Sequence, residues 1–420
     1  MSTRKDCLAL DAQDPLARLR EQFMLPAGKI YLDGNSLGVL PRATPERVAQ
    51  VVSHEWGQNL IESWNTAGWI DLPQRIGDKI ARLVGAGAGE LVVADSTSVN
   101  LFKVLSAALA ITQADAPERR VILSERGNFP TDLYIAEGLA RQRGCELVLA
   151  DSADEINRHL AGGRVAVLML TQVDYKSGRL HDMAALTRSA HGHGALALWD
   201  LAHSAGALPV ALNAAGADFA VGCGYKYLNG GPGAPAFVWV HPRHAERFWQ
   251  PLSGWMGHAA PFEFNPAYRP AAGIARYLCG TPALLSMAAL ECGVDSVLAA
   301  EPLGGMAALR AKSLALTDLF IELVEAMGAG HGLEVITPRE HALRGSQVAL
   351  ARNEGAYAIV QALIARGVVG DFRAPDILRF GLTPLYLRFV DVWDAVEHLR
   401  QVLASGEWRE PRFYDKAVVT

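Results

Sequence analysis

Residues 195–228 read ALALWDLAHSAGALPVALNAAGADFAVGCGYKYL, and this stretch indicates the fold of the chain. Two short apolar runs, residues 195–199 and 219–222, are separated by a segment rich in alanine and glycine. Asp200 directly follows the first run, and Lys226 lies just after the second. Buried strands of a parallel sheet have this apolar character, and chemistry lies at their carboxyl ends. The stretch therefore predicts two such strands, with an acid and an amine at their ends.

The same alternation of apolar runs and helical patterns extends toward both termini. It is typical of βαβ units and of a parallel sheet covered by helices on both faces. We therefore expect an α/β fold with a mainly parallel seven-stranded sheet. The predicted strands are residues 91–94, 121–124, 146–150, 165–170, 195–199, 219–222 and 236–240.

The pattern changes after about residue 282, where a helix-rich stretch is followed by strand-like residues 333–337 and 347–351. Helical patterns at 356–366 and near 392–403 complete this part. We predict three regions along the chain. They are an N-terminal segment that packs with the small domain (1–40), a large α/β domain (41–281) and a small α+β domain (282–420).

The composition excludes several classes of protein. The 420 residues include 39 basic and 44 acidic side chains, for a net charge of −5, and half are hydrophobic. There is no run rich in lysine and arginine, so we expect neither nucleic acid nor a membrane as partner. The N-terminus lacks the apolar core of a signal peptide, and the five cysteines lack zinc-site spacing. We therefore expect a cytoplasmic protein without a metal site.

Lys226 and Asp200 form a pair with a specific chemical use. Lys226 lies between two tyrosines beside an apolar strand, where burial favours the neutral amine. Such an amine forms a Schiff base with an aldehyde, and a nearby carboxylate keeps a pyridine nitrogen protonated. The pair therefore predicts a site for pyridoxal 5′-phosphate (PLP).

Two further segments are compatible with this cofactor. Residues 96–98, Ser-Thr-Ser, precede a predicted helix, and hydroxyl groups at a helix N-terminus form a site for a phosphate. An ordinary helix cap has the same pattern. Phe129 follows the strand at 121–124, and an aromatic side chain there can stack on a cofactor ring.

Six motifs resemble those of the kynureninase family, within the fold-type-I PLP enzymes. The resemblance extends from about residue 30 to residue 400. The Lys/Asp pair is common to the superfamily, whereas the GNSLG and GWMGH segments indicate the family. The motifs are residues 32–38 (LDGNSLG), 129–132 (FPTD), 199–206 (WDLAHSAG), 224–231 (GYKYLNGG), 254–258 (GWMGH) and 383–386 (TPLY).

The resemblance implies a fold-type-I PLP-dependent transferase fold and assigns residues to the cofactor. Lys226 binds PLP covalently, Asp200 pairs with the pyridine nitrogen, and Phe129 stacks on the ring. Trp255 and Thr281 come from a neighbouring subunit, which implies a homodimer. The complete set of implied cofactor residues is Thr97, Ser98, Phe129, Asp132, Asp200, His203, Tyr225, Lys226, Trp255 and Thr281.

The resemblance also implies a reaction, the hydrolytic Cβ–Cγ cleavage of L-kynurenine to anthranilate and L-alanine in tryptophan degradation. The alternative substrate is 3-hydroxykynurenine, which gives 3-hydroxyanthranilate. Lys226 and Asp200 are the implied catalytic residues, and Tyr225 is our candidate proton relay. Substrate contacts are assigned to Arg379, which grips the carboxylate, and to Ser36 and Trp64, which line the aryl pocket.

Other activities remain open from the sequence. A class V aminotransferase shares the same fold, as does a cysteine desulfurase, whose nucleophile would be Cys279 or Cys292. The GNSLG segment also matches the G-x-S-x-G motif, so a serine hydrolase using Ser36 is a further alternative. That motif requires a helix directly after the serine, and Pro41 argues against one.

Overall fold

The computed structural model describes residues 2–327 and 329–416. Its strands are β1 (Ile30–Tyr31), β2 (Leu91–Ala94), β3 (Val121–Glu125), β4 (Glu146–Ala150), β5 (Val165–Thr171), β6 (Leu196–Asp200), β7 (Phe219–Gly222), β8 (Ala236–Val240), β9 (Glu334–Val335), β10 (Gln347–Ala351), β11 (Val368–Val369), β12 (Asp371–Arg373) and β13 (Ile377–Gly381). Its α-helices are α1 (Arg4–Gln13), α2 (Thr44–Gln50), α3 (Ser63–Thr66), α4 (Leu72–Val84), α5 (Thr97–Asp115), α6 (Pro130–Arg143), α7 (Ala153–Ala161), α8 (Met183–Gly192), α9 (Leu212–Ala215), α10 (Pro242–Ala245), α11 (Leu284–Leu298), α12 (Gly305–Ala326), α13 (Ala356–Ala365) and α14 (Phe389–Ser405).

The central sheet has seven strands in the order β2-β8-β7-β6-β5-β3-β4, which confirms the predicted mainly parallel sheet. Only the ladders that involve β8 are antiparallel within this sheet. Asp200 at the end of β6 lies opposite Thr171 on β5 and Val221 on β7. The register therefore brings the carboxyl ends of three strands level at one edge, where the candidate residues lie.

Burial on both faces explains why these strands are continuously apolar. All seven residues of β5 are buried, and α5 packs across β5, β7 and β8 on one face. A strand covered on both sides has no solvent-facing positions, so its sequence lacks the polar alternation of an exposed sheet.

The C-terminal part contains a four-stranded antiparallel sheet in the order β12-β13-β10-β9. The predicted strand at 347–351 matches β10, whereas β12 and β13 were missed by the sequence analysis. The short β12 contains an aspartate and an arginine, so it lacks the apolar character that signals a strand. The β12–β13 ladder places Asp371 directly opposite Arg379.

The N-terminal segment contacts this C-terminal part. Helix α1 packs against α14, and β1 pairs in parallel with β11. Helix α11, which follows residue 281, packs against α2 and α4. The division of the chain at residues 40 and 281 stays a prediction.

Candidate active site

A cavity of about 250 Å³ lies at the carboxyl ends of the central strands. Lys226 follows β7 and projects into it, with Nζ 3.0 Å from Nε2 of His203. The same Nζ lies 5.9 Å from the centre of the Phe129 ring and 5.7 Å from that of Tyr225. Eight residues predicted to bind the cofactor line this cavity, namely Thr97, Ser98, Phe129, Asp132, Asp200, His203, Tyr225 and Lys226.

Two buried carboxyl groups face each other at the inner end of the cavity. Burial raises the pKa of Asp200, although the Lys226 amine and the backbone N–H of Ala202, at 2.7 Å, act in the opposite direction. Burial also raises the pKa of Asp132, and the charge of Asp200 and the hydrogen bond between them raise it further. The pair therefore shares a proton that resides on Asp132, which leaves Asp200 as the ionised member.

Hydroxyl groups and a helix N-terminus form another wall of the cavity. Ser96 caps α5 by accepting a hydrogen bond from the backbone N–H of Val99 at 3.3 Å, and Thr97 and Ser98 form the first turn. The preceding Asp95 has φ +46° and pairs with the fully buried Lys103. Unpaired N–H groups and the helix dipole attract an anion here, so this turn suits a phosphate.

The exposed ring of Phe129 supplies a flat apolar surface in the same cavity. The ring contacts Tyr175 edge-on, with centroids 5.3 Å apart, and 40% of the residue is exposed. An amine, an ionised carboxylate, an anion-binding turn and an exposed aromatic face therefore surround one space. These groups match the aldehyde, ring nitrogen, phosphate and ring face of PLP, so the residues present fit this cofactor.

A buried arginine cluster lies on the C-terminal side of the cavity. Arg379 donates from Nε to Asp371 at 2.9 Å and from Nη2 to Ser36 at 2.8 Å. Its Nη1 donates to the backbone oxygen of Tyr175, a residue of the cavity wall. Arg379 and Asp371 are each 1% exposed. Asp371 therefore holds the Nε–Nη2 edge of the guanidinium, while Ser36 and the Tyr175 oxygen accept from its other edge, at the cavity wall.

The GNSLG motif joins this cluster to the lysine segment. The backbone N–H of Gly38 donates to the oxygen of Tyr225 at 2.8 Å, and a side chain at Gly38 would collide with the oxygen of Lys226. Ser36 donates from Oγ to Asp371 at 2.7 Å. No helix starts at this serine, and its side-chain partners are a carboxylate and two guanidinium groups, unlike the histidine of a hydrolase. The serine-hydrolase alternative is therefore not favoured.

The raised pKa of Asp33, beside this cluster, can be tested through the pH dependence of stability. Burial and the Asp371 carboxylate raise the pKa of Asp33 from 3.8 to about 7. Between these two values the folded chain binds more protons at this group than the unfolded chain, so stability falls as pH rises. We expect Asp33→Asn to remove this fall. The difference in thermal midpoint, variant minus wild type, should therefore increase from pH 4 to pH 7. Asp154→Asn, at an exposed helical position, is the matched control, and equal behaviour of the two variants would contradict the assignment.

Ser36 and Arg379, in the cluster beside the Lys226 cavity, do not line it themselves, and three further predicted site residues lie outside it. Trp64 and Trp255 contact each other with ring centroids 5.8 Å apart and line a separate, apolar cavity of about 770 Å³. Thr281 lines a third cavity, of about 190 Å³, together with Asp95. The single chain therefore does not bring these three side chains to Lys226.

Four residues that contribute to the site were not among those predicted from the sequence. Thr171 contacts Asp132 at 3.4 Å, and its position at the end of β5 was a signal that the strand-end rule could have used. The other three carried no such signal, because they lie in a loop or in the C-terminal sheet. They are Tyr175, Gln347 and Asp371.

The chain is similar over its whole length to known kynureninases. The kynureninase of Pseudomonas fluorescens is 58% identical over 422 aligned positions, which cover 100% of both chains. The kynureninase of Burkholderia pseudomallei (strain K96243) has the same identity and coverage. The family model described as the kynureninase C-terminal domain matches residues 309–399.

Solved structures of PLP enzymes share the fold. A cysteine desulfurase from Thermococcus onnurineus NA1 has a TM-score of 0.77 at 16% identity, covering 92% of this chain and 98% of the other. A variant of C-DES with glycine covalently linked to the PLP cofactor has a TM-score of 0.76 at 17% identity, with coverage of 91% and 98%. At these identities the similarity shows the fold alone.

Proposed function

This chain belongs to the kynureninase family, and on that premise we propose that it hydrolyses the Cβ–Cγ bond of L-kynurenine to give anthranilate and L-alanine, with PLP as cofactor. The observation that carries the proposal is the single cavity in which the Lys226 amine, the Asp132–Asp200 pair and the first turn of α5 meet. A serine hydrolase has no use for this combination. A desulfurase or an aminotransferase is not favoured by the full-length relatives.

When bound in this cavity, PLP withdraws electron density from the Cα–H bond of the substrate. Lys226 would hold the cofactor through its amine and, as a free amine, would remove the Cα proton of the substrate. Asp200 keeps the proton on the ring nitrogen, and Asp132 stabilises the Asp200 charge through its hydrogen bond. Phe129 covers the ring face, while Thr97 and Ser98 bind the phosphate.

Arg379 and Tyr225 act on the substrate in this proposal. Arg379 would bind the substrate carboxylate through Nη1 and Nη2, in exchange for its contacts with the Tyr175 oxygen and Ser36. Burial raises the pKa of the Tyr225 phenol, so the group keeps its proton at neutral pH and can donate it. Water adds to the γ-carbonyl, and the Cβ–Cγ bond breaks with the water hydroxyl retained on the anthranilate carboxyl carbon. Tyr225 supplies the proton that Cβ needs and regains one from the water, and Lys226 returns its proton to Cα as L-alanine forms. His203 remains neutral and contacts Lys226.

Two measurements on the purified protein test the function. We expect a visible absorbance band from PLP joined to Lys226, and blue anthranilate fluorescence with equimolar L-alanine after L-kynurenine is added. Comparison of kcat/KM for 3-hydroxykynurenine then establishes which substrate is preferred. Sulfide release from L-cysteine, or a requirement for a keto acid, would instead support the desulfurase or the aminotransferase.

We further propose that the active unit is a homodimer, with Trp255 and Thr281 contributed by the second subunit. The apolar cavity beside Trp255 supports this, because Ile61 and Phe264 in its wall are 76% and 81% exposed. Large apolar side chains this exposed mark an interaction surface. A second copy of the chain would cover them and bring Trp255 and Trp64 to a substrate.

Mixed dimers test this arrangement. Lys226→Ala and Trp255→Ala should each be impaired as pure proteins, the second through weaker PLP binding. After the two are unfolded and refolded together, one site of each mixed dimer contains both native residues. We therefore expect recovery of about a quarter of wild-type activity, since half of the randomly paired dimers are mixed. No recovery, despite mixed dimers in native mass spectra, would place both residues in one subunit.

We place the reaction in the cytoplasm and in tryptophan degradation, the pathway of the family, which also supplies precursors of NAD. The net charge of −5 and the absence of a basic run support a small-molecule substrate as the partner. Within residues 2–327 and 329–416, no helix combines the length and apolar character needed to cross a membrane. Cell fractionation with an antibody to the chain tests the location.

A further inference from the structure

Gln347 connects the C-terminal sheet to the candidate active site. It is the first residue of β10, its side chain is fully buried, and its Oε1 lies 3.0 Å from Nδ1 of His203. On the opposite side of the same ring, Nε2 of His203 lies 3.0 Å from Nζ of Lys226. The histidine ring therefore lies between the Gln347 amide and the proposed catalytic amine.

The orientation of the Gln347 amide follows from its other neighbours. Its Nε2 donates to the backbone oxygens of Asp174, at 3.3 Å, and Tyr175, at 3.1 Å. Both partners are carbonyl oxygens, which carry no proton, so only the NH₂ end of the amide can face them. The oxygen end must then face His203, whatever the state of that ring.

The amide orientation in turn determines where His203 carries its proton. An amide oxygen only accepts hydrogen bonds, so Nδ1 of His203 must be protonated. Burial, together with the charges of Lys226 and Arg379, holds the pKa of His203 well below 6.5, so the ring is neutral. A neutral ring with Nδ1–H has a free lone pair on Nε2, and this lone pair points at Lys226.

We propose that Gln347 is a positioning residue that keeps His203 in the Nδ1–H tautomer, so that Lys226 donates an N–H to the ring and keeps its own lone pair for the substrate. In the opposite tautomer, Nε2–H would donate to the amine and occupy the lone pair that must take the Cα proton. An imidazolium ring would do the same. The inference rests on the proposed role of Lys226 as base.

The surroundings of His203 leave Gln347 as the group that selects the tautomer. The charged groups that act on the ring are Arg379, Arg373 and the ammonium form of Lys226, which disfavour the imidazolium and cannot accept from Nδ1. When Lys226 acts as the base it is the neutral amine, and the two arginines remain as the cations. The Tyr227 ring packs against it edge-on, with centroids 6.4 Å apart. The acceptor at Nδ1 in the described structure is the Gln347 oxygen.

Two substitutions in the holoenzyme separate this role from a purely structural one. Gln347→Met has similar length but no acceptor, so both tautomers should appear in ¹⁵N spectra of ring-labelled histidine, with kcat about tenfold lower. The His203 signals are assigned by comparison with His203→Gln. Gln347→Glu still accepts from Nδ1, but like Gln347→Met it loses the two donations to backbone oxygens, and it adds a negative charge, which favours the imidazolium. The acid limb of the kcat–pH profile should therefore move to higher pH in Gln347→Glu. At pH values above this limb, Gln347→Glu should retain a higher kcat than Gln347→Met.

Ser346→Ala is the matched control. Ser346 precedes Gln347 and donates to the backbone oxygen of Ala207 at 2.9 Å, so this variant also loses a buried hydrogen bond to the large domain. It should leave the His203 signals and the pH profile at their wild-type values. Unmoved His203 signals and pH limbs in both Gln347 variants, or equal shifts in Ser346→Ala, would overturn the inference. If the wild-type protein releases no anthranilate, the proposed function fails. That result is distinct from failure of the inference about Gln347.

Discussion

Replacing Lys226 by alanine is expected to lower kynurenine turnover by about 10³-fold or more and to abolish the visible band of the lysine-bound cofactor. The amine has two tasks in the proposed mechanism, since it anchors PLP and then removes the Cα proton. Loss of a positioned base alone costs about 10²–10⁴-fold in rate. Anthranilate fluorescence measures the turnover, and an absorbance spectrum measures the bound form, even where PLP is still retained without a covalent bond.

A nearby lysine provides the control for this variant. Nζ of Lys176 lies 5.7 Å from the centre of the Tyr175 ring, beside the same cavity but without a role in the proposed chemistry. Lys176→Ala removes the same charge, and we expect the visible band to stay and turnover to change by less than about threefold. Near-normal cleavage by Lys226→Ala would make the mechanism wrong. An equal loss in Lys176→Ala would assign the effect to charge alone.

Replacing Asp200 by asparagine is expected to lower turnover by about 10³-fold, the cost of removing one preorganised electrostatic contact at a reacting group. The neutral amide cannot stabilise a positive charge on the ring nitrogen, so the cofactor loses its capacity to accept electrons. The fold should persist, because asparagine has the same shape and can still accept from the N–H of Ala202. Kinetics like those of the wild type would remove Asp200 from its role.

Asp132 gives the comparison that tests the location of the shared proton. In the proposed arrangement the shared proton lies on Asp132, because burial and the Asp200 charge raise the pKa of Asp132, and this residue donates to Asp200. The amide of Asp132→Asn can donate in its place, so we expect a loss of about tenfold or less. Asp132→Ala removes the donor and should be more severe. If Asp132→Asn were as damaging as Asp200→Asn, the ionised carboxylate would instead be Asp132.

Much of the central seven-stranded sheet could be predicted from local patterns. The run before Asp200 and the run before Lys226 are apolar because both faces of the sheet are covered. A continuous apolar run therefore predicts each of these buried strands. A parallel sheet brings its carboxyl ends to one edge, and this rule alone placed the acid near the amine. Thr97 and Phe129 follow from the same rule.

The C-terminal contribution to the site was less accessible to such reasoning. Strand β12 is three residues long and polar, and the pairing of Asp371 with Arg379 depends on a ladder that no local pattern reveals. Gln347 starts a strand that was predicted, but its neighbour His203 lies 144 positions earlier in the chain. Side-chain partners this distant are brought together by packing between sheets.

The amino-acid order by itself determined the α/β class, the strand ends and the identity of the amine and acid at them, because burial imposes apolar runs and right-handed βαβ connections align their ends. Only the tertiary structure brought Asp132 to Asp200 and Gln347 to His203, and the proposed positions of their protons follow from these contacts. These properties depend on the distances between groups from separate elements and on their removal from water, which the packed chain alone establishes.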